Sequence, residues 1–148
     1  MKVLQHFIPI LFLLCSCGQL KETAEEDIYK KIEIPIQHEY SEISDYSISR
    51  DMMFDIDHEQ YYVYFYSLTC THCNNIKDFM IERAIDRKDI FFVKSSSGDK
   101  LTNDEKLLIG AEIPEDFYIL GYPSLVLIKN KKCIKNIAGI STIKDELK

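Results

Sequence analysis

The stretch YYVYFYSLTCTHCNNIKDFM, residues 61–80, sets Cys70 and Cys73 three positions apart with His72 between them. Thiols at this spacing can exchange electrons as a dithiol–disulfide couple, supply half of a soft-metal site, or pack as small hydrophobes. The block before them is aromatic and β-branched, the mark of a strand. After them Ile76, Phe79, Met80 and Ala84 recur with helical period, and Lys77, Glu82 and Arg83 take the opposite face. The cysteines therefore fall where a strand hands over to a helix. A helix N-terminus carries unsatisfied N–H groups and about half a unit of positive charge, which favours a thiolate at Cys70. Cys73 lies roughly one turn further in and faces the helix body. That asymmetry suits a two-step exchange in which Cys70 forms a mixed disulfide and Cys73 resolves it. His72, when protonated, adds positive charge beside Cys70 and makes the disulfide a stronger oxidant; otherwise it is an exposed turn residue.

A metal site would need Cys70, His72 and Cys73 to converge, with Cys133 or His58 completing the shell. On a helix the two cysteines share a face while His72 points elsewhere, so neither a metal nor an organic cofactor is expected. The redox-active group is the Cys70–Cys73 pair itself. Cys133, in KKCIKNI, reads as a buried small hydrophobe, with a regulatory or intermolecular thiol as the alternative.

The elements that position these residues follow from the pattern. Tyr61 to Leu68 is apolar on both faces, as a central covered strand requires. Ser49 to Asp57 has Met52, Met53 and Ile56 at helical spacing. Ile90 to Val93 is a short apolar strand, and SSSGDK after it is a loop with turn chemistry only. Thr102 to Glu105 has the form of a capping box and predicts a helix ending near Gly110. Ser124–Lys129 and Cys133–Ala138, joined by Asn130-Lys131, predict a hairpin. STIKDELK predicts a terminal helix capped by Ser141 or Thr142. Strands joined by helices run parallel and the hairpin adds antiparallel strands. The fold class is α/β, a central mixed sheet flanked by helices on both faces.

At 148 residues, 46% hydrophobic and 28% charged, the chain holds one globular domain. A net charge of −6 with no basic stripe excludes a nucleic-acid partner. Residues 1–17, MKVLQHFIPILFLLCSC, pair Lys2 with an apolar run from Phe7 to Leu14. Spanning a bilayer takes about 18 or more apolar residues, so this run has the length of a signal peptide. Its end, Leu14-Cys15-Ser16-Cys17, resembles the lipobox of bacterial lipoproteins, which implies diacylation of Cys17 and attachment of the mature chain to a membrane outside the cytoplasm. An ordinary secretory signal or an uncleaved anchor gives the same compartment. Residues 18–31, including the acidic run Glu22–Asp27, read as a polar tether of about 20 Å. Ile32 to Ile36 alternates like an edge strand interrupted by Pro35. The organisation is thus a signal peptide over 1–17, a tether and extension over 18–42, and a domain over 43–148.

CTHC at the junction, followed by GYPSLVLI at Gly121–Ile128, resembles the thioredoxin family. The resemblance extends over about residues 43–148 and includes IAGISTIKDEL as the family's last strand and helix, with Gly139 before the helix. It implies a thioredoxin-like fold in which Tyr122 precedes a cis-Pro123 facing the disulfide. Free backbone groups of Tyr122 would then pair with a substrate chain. The chain departs from thioredoxins proper. Tyr64 stands where they carry a buried acid, Thr69 replaces a tryptophan, and Thr71-His72 replaces Gly-Pro. A buried carboxylate would take the proton from the resolving thiol, so its replacement leans toward oxidase or isomerase chemistry rather than general reduction. The expected activity is a membrane-tethered thiol–disulfide oxidoreductase acting on the thiols or disulfides of exported proteins, working as a monomer with a separate redox partner. Two other readings are a non-catalytic secretion or bacteriocin accessory lipoprotein on the same scaffold, and a soft-metal-binding lipoprotein.

Overall fold

The computed structural model describes residues 36–148. The signal segment, Cys17, the tether and all but the last residue of the strand expected at Ile32 to Ile36 lie outside them. Ile36 itself is exposed and belongs to no strand.

Four strands and two α-helices follow in chain order: β1 (Gln60–Tyr66), α1 (Thr71–Arg87), β2 (Ile90–Lys94), β3 (Ser124–Lys129), β4 (Lys132–Ala138) and α2 (Ile140–Glu146). The sheet order is β2-β1-β3-β4. β1 runs parallel to β2, with Tyr62 opposite Ile90, and antiparallel to β3, with Val63 opposite Val126. β3 and β4 form the expected hairpin, whose turn residues Asn130 and Lys131 both take positive φ, 49° and 60°. This is the mixed sheet expected, with one parallel and two antiparallel pairings. The β1–β2 connection is a parallel crossover through α1. The β2–β3 connection instead reverses the chain, so the rule that joined strands run parallel holds only for the first pair.

β1 divides the core by simple alternation. Tyr62, Tyr64 and Tyr66 face one cluster with Cys73, Ile76, Met80 and Ile81 of α1 and Ile143 of α2. Tyr61, Val63 and Phe65 face the other, with Met53, Phe117, Ile119 and Cys133. Both α-helices lie over the first face. The second is covered by short 3-10 turns and loop, including Arg50–Met52 and Pro114–Asp116.

Several local expectations are corrected. The helix expected over Thr102–Gly110 is one 3-10 turn, Glu105–Leu107; Thr102 accepts a hydrogen bond from the Asp104 N–H, and Asp104 caps the turn through Lys106 N–H. That hydroxyl is consumed in starting a tighter turn. The helix expected over Ser49–Asp57 is likewise a 3-10 turn, with Met53 buried but Met52 half exposed. α2 starts at Ile140 after Gly139, its N-cap with φ 93°, and has no side-chain cap from Ser141 or Thr142. A 3-10 segment at Tyr40–Tyr46 carries no sequence signature, and its Tyr40 ring stacks on Tyr66 at 4.1 Å.

The sheet's edges are covered. Ser47 bridges to Phe92 of β2, and Ile48 N–H donates to the Phe92 carbonyl at 2.9 Å. On β4, Cys133 exchanges backbone bonds with Gly110 and Ala111 at 2.7 and 2.9 Å. Buried Asn136 holds the same loop, donating to the carbonyls of Leu108 and Tyr118 at 3.2 and 2.8 Å. Among the described residues no helix is long and apolar enough to cross a membrane.

Candidate functional site

The chain leaves β1 at Tyr66 and turns over Ser67–Thr69 before α1. Cys70 N–H bonds the Ser67 carbonyl at 3.2 Å, which closes the turn. Cys70 is the N-cap of α1, with extended backbone and its sulfur accepting from Cys73 N–H at 3.3 Å. A thiol here occupies the place usually filled by a serine or aspartate oxygen, meeting one of the helix's free N–H groups. No acidic residue lies in the first turn of α1, so nothing there opposes the positive end of the helix.

The two thiols differ in access, as the helical spacing predicts. Cys70 is half-buried and Cys73 fully buried. Burial, together with the hydrogen bond it shares with Cys70, pushes the Cys73 thiol well above the ordinary cysteine range.

The Tyr122–Pro123 peptide bond is cis, and the Cys70 thiol donates to the Tyr122 carbonyl at 3.5 Å. β3 begins immediately after, so the sheet carries the proline loop to the end of α1. His72 is exposed and lines an open depression of about 570 Å³ with Tyr122, Pro123, Gly139, Ile140, Ser141 and Lys144. The structure thus brings Cys70, His72, Tyr122 and Pro123 together at one end of the sheet, with Cys73 beneath.

Sequence reasoning missed what holds Tyr122. Its hydroxyl donates to Asp99, whose carboxylate also accepts from Arg50 at 3.0 Å and from Ser96 N–H at 2.9 Å. Arg50 continues to the carbonyls of Phe117 and Pro114 at 2.6 and 3.3 Å. The Arg50 and Asp99 side chains are 12% and 3% exposed, so this is a buried ion pair. Burial alone would raise the Asp99 carboxyl; the bonds from Tyr122, Ser96 and Arg50 outweigh it and hold the group below the usual carboxylate range. Asp99 lies in SSSGDK, where only turn chemistry is visible in sequence.

The residues considered for a metal shell do not assemble. Cys133 packs in the core on the opposite face from Cys73, its sulfur donating to the Leu108 carbonyl at 3.2 Å, and burial raises its thiol to about 12. His58 sits edge-on to Tyr61 and Phe91. Among the described residues no cluster of three or more His, Cys, Asp or Glu could hold a metal ion. Tyr64, six residues before Cys70, is fully buried beneath α1.

No family model matches the chain, and no curated protein matches it. Among solved structures, a thioredoxin f2 from Chlamydomonas reinhardtii is 19% identical over 68% of this chain and 88% of its own, with a TM-score of 0.44. A Plasmodium falciparum thioredoxin is 17% identical over 68% of this chain and 94% of its own, TM-score 0.46. The mitochondrial thioredoxin 3 of Saccharomyces cerevisiae, in its oxidised form, is 17% identical over 68% and 89%, TM-score 0.47.

Proposed function

We propose that this thioredoxin-like chain is a thiol–disulfide oxidoreductase in which Cys70 exchanges with substrate sulfur and Cys73 resolves the intermediate. The observation that carries the reading is the position of the Cys70 sulfur, between the first free N–H groups of α1 and the Tyr122 carbonyl, with Cys73 buried one turn below. In the oxidising direction a substrate thiolate attacks Cys70 of the Cys70–Cys73 disulfide and expels the Cys73 thiolate. A second substrate thiolate then attacks the mixed disulfide, so the substrate leaves oxidised and the chain holds two thiols. Isomerisation uses the same mixed disulfide without net electron transfer. The depression beside His72 and the Tyr122–Pro123 loop is the place for an extended substrate segment, and the Lys144 ammonium borders it. An uncharged tyrosine at position 64 in place of a carboxylate, and a histidine directly before Cys73, favour oxidase or isomerase chemistry over general reduction.

The substrates in this reading are exported proteins, and a separate redox partner reoxidises the pair. The lipobox-like Leu14-Cys15-Ser16-Cys17 supports an extracytoplasmic chain held to the membrane through acylated Cys17. The decisive experiment is the Cys73→Ser variant, which leaves Cys70 unable to be released. Mixed disulfides that dithiothreitol reverses and that vanish in the Cys70→Ser/Cys73→Ser double variant are expected. Their complete absence, while wild type still exchanges thiols, overturns the assignment. Fatty-acid labelling lost in Cys17→Ala but retained in Cys15→Ala tests the anchor.

A further inference from the structure

If Cys73 resolves a mixed disulfide, it must first become a thiolate in a place built almost wholly of apolar and aromatic groups. Its titratable surroundings can be named from every side. Tyr64 comes from β1, Tyr40 from the 3-10 segment, Tyr122 from the proline loop and Cys70 from α1 itself, while Tyr66 of β1 and Asp78 of α1 lie next to Tyr40. Asp78, the one carboxylate, accepts from His38 N–H at 3.0 Å. Two of the tyrosines are anomalous. The hydroxyls of Tyr40 and Tyr64 are buried, and neither finds a hydrogen-bond partner among the described residues. Tyr40 stacks on Tyr66 at 4.1 Å, and Tyr66 is parallel to Tyr64 at 6.1 Å, which fixes the three rings as one layer in the core that holds Cys73. An orphaned buried hydroxyl costs stability, and a phenylalanine would fill the same space without that cost.

We infer that Tyr64, with Tyr40 beside it, is a positioning residue for the resolving step: the two buried hydroxyls donate hydrogen bonds to the Cys73 sulfur when it ionises. The inference rests on the proposed thiol–disulfide activity and deepens it. Burial drives both tyrosines far above their ordinary range, with the two cysteines among the groups that raise them, so they serve as donors and never as the base. The proton of Cys73 passes to hydroxide or buffer base. The Cys73 thiolate then attacks the Cys70 sulfur of the mixed disulfide, forming Cys70–Cys73 and expelling a substrate thiolate that takes up a proton from solvent.

5,5′-Dithiobis(2-nitrobenzoate) tests both levels in one trace. Attack by Cys70 on the reagent releases one coloured thiolate, and resolution by Cys73 releases the second. In wild type the second phase should quicken about tenfold per pH unit between about pH 6 and 8, because Cys73 titrates far above that range. Tyr64→Phe should slow the second phase about tenfold or more at every pH, the loss expected for a hydrogen bond to a charged group, and leave the first phase unchanged. Its urea midpoint should equal or exceed that of wild type. Tyr40→Phe, which alters only the outer ring of the layer, should act in the same direction. A wild-type trace lacking the second phase removes the functional reading itself. A second phase present but unaltered in both variants, or slowed together with the first phase and with stability, overturns the role of the hydroxyls and leaves the oxidoreductase assignment standing.

Discussion

Replacing Asp99 by asparagine isolates the ion pair that stands behind Tyr122. The substitution keeps the shape and an acceptor oxygen for the Tyr122 hydroxyl, but it removes the charge that neutralises Arg50. Both side chains are nearly sealed from solvent, at 3% and 12% exposure. Breaking such a pair by removing one partner costs about 3–5 kcal/mol, because the other charge is left buried and uncompensated. Arg50 keeps its bonds to the Phe117 and Pro114 carbonyls, which places the cost near the lower end, about 3 kcal/mol. For a domain of this size that is a fall in melting temperature of roughly 10 °C. The pH dependence supplies a second signature. The folded Asp99 carboxyl is depressed below its unfolded value, so its contribution is present above the unfolded pKa and is lost as pH falls through the folded one. Urea melts at pH 7 should therefore separate wild type from Asp99→Asn, and the gap should narrow in acid as pH falls below the ordinary carboxylate range and through the depressed folded value. Arg50→Met/Asp99→Asn should be more stable than the sum of the single losses predicts, because no lone charge remains. A loss under about 1 kcal/mol at pH 7, or a gap that persists unchanged in acid, would refute the reasoning.

Two further outcomes follow from single residues. Cys133, buried and with its thiol raised to about 12, should resist iodoacetamide in the native protein at pH 8 and react promptly in denaturing urea; alkylation in the folded state would show that the loop over β4 does not protect it. Gly139 holds φ 93° with open space where a Cβ would lie, so Gly139→Ala should cost about 1–2 kcal/mol from backbone strain alone, and a urea midpoint equal to wild type would count against that conformation.

The parts of this molecule that were legible in sequence are those in which neighbours along the chain settle the outcome. β1 alternates between two apolar faces, and Ile76, Met80 and Ala84 repeat at helical spacing beneath it, so both elements could be read directly. The Asn130-Lys131 turn sits between two apolar strands, and Tyr122-Pro123 announces itself by the proline before an apolar run. Where two local signals competed, the reading failed. Thr102 and Glu105 have capping-box spacing, yet Asp104 is a better acceptor two residues further on and draws the chain into a single 3-10 turn.

The supporting groups of the site were invisible for a different reason. Arg50 and Asp99 are 49 residues apart, and Tyr122 is 23 residues beyond Asp99. None of the three belongs to a periodic run, and each alone is an ordinary polar residue of a loop or turn. Only the folding of the 96–99 loop and the Arg50 turn onto the end of the sheet makes them one network. The same holds beneath α1. Sequence discloses that position 64 carries a hydroxyl instead of a carboxylate, but not what company it keeps. Tyr40 reaches that layer from a segment with no recognisable pattern, held against Tyr66 by ring stacking and against β2 through Ser47. A donor-only layer in place of a base changes the chemistry in a definite direction. In the proposed activity the resolving thiol has hydrogen-bond donors where a base would otherwise stand, so pH governs how quickly a mixed disulfide is released. Near neutrality such a site holds its covalent intermediate longer than one with an internal base. That lifetime suits the oxidase or isomerase chemistry proposed above, in which a substrate must find a second thiol before Cys70 is freed.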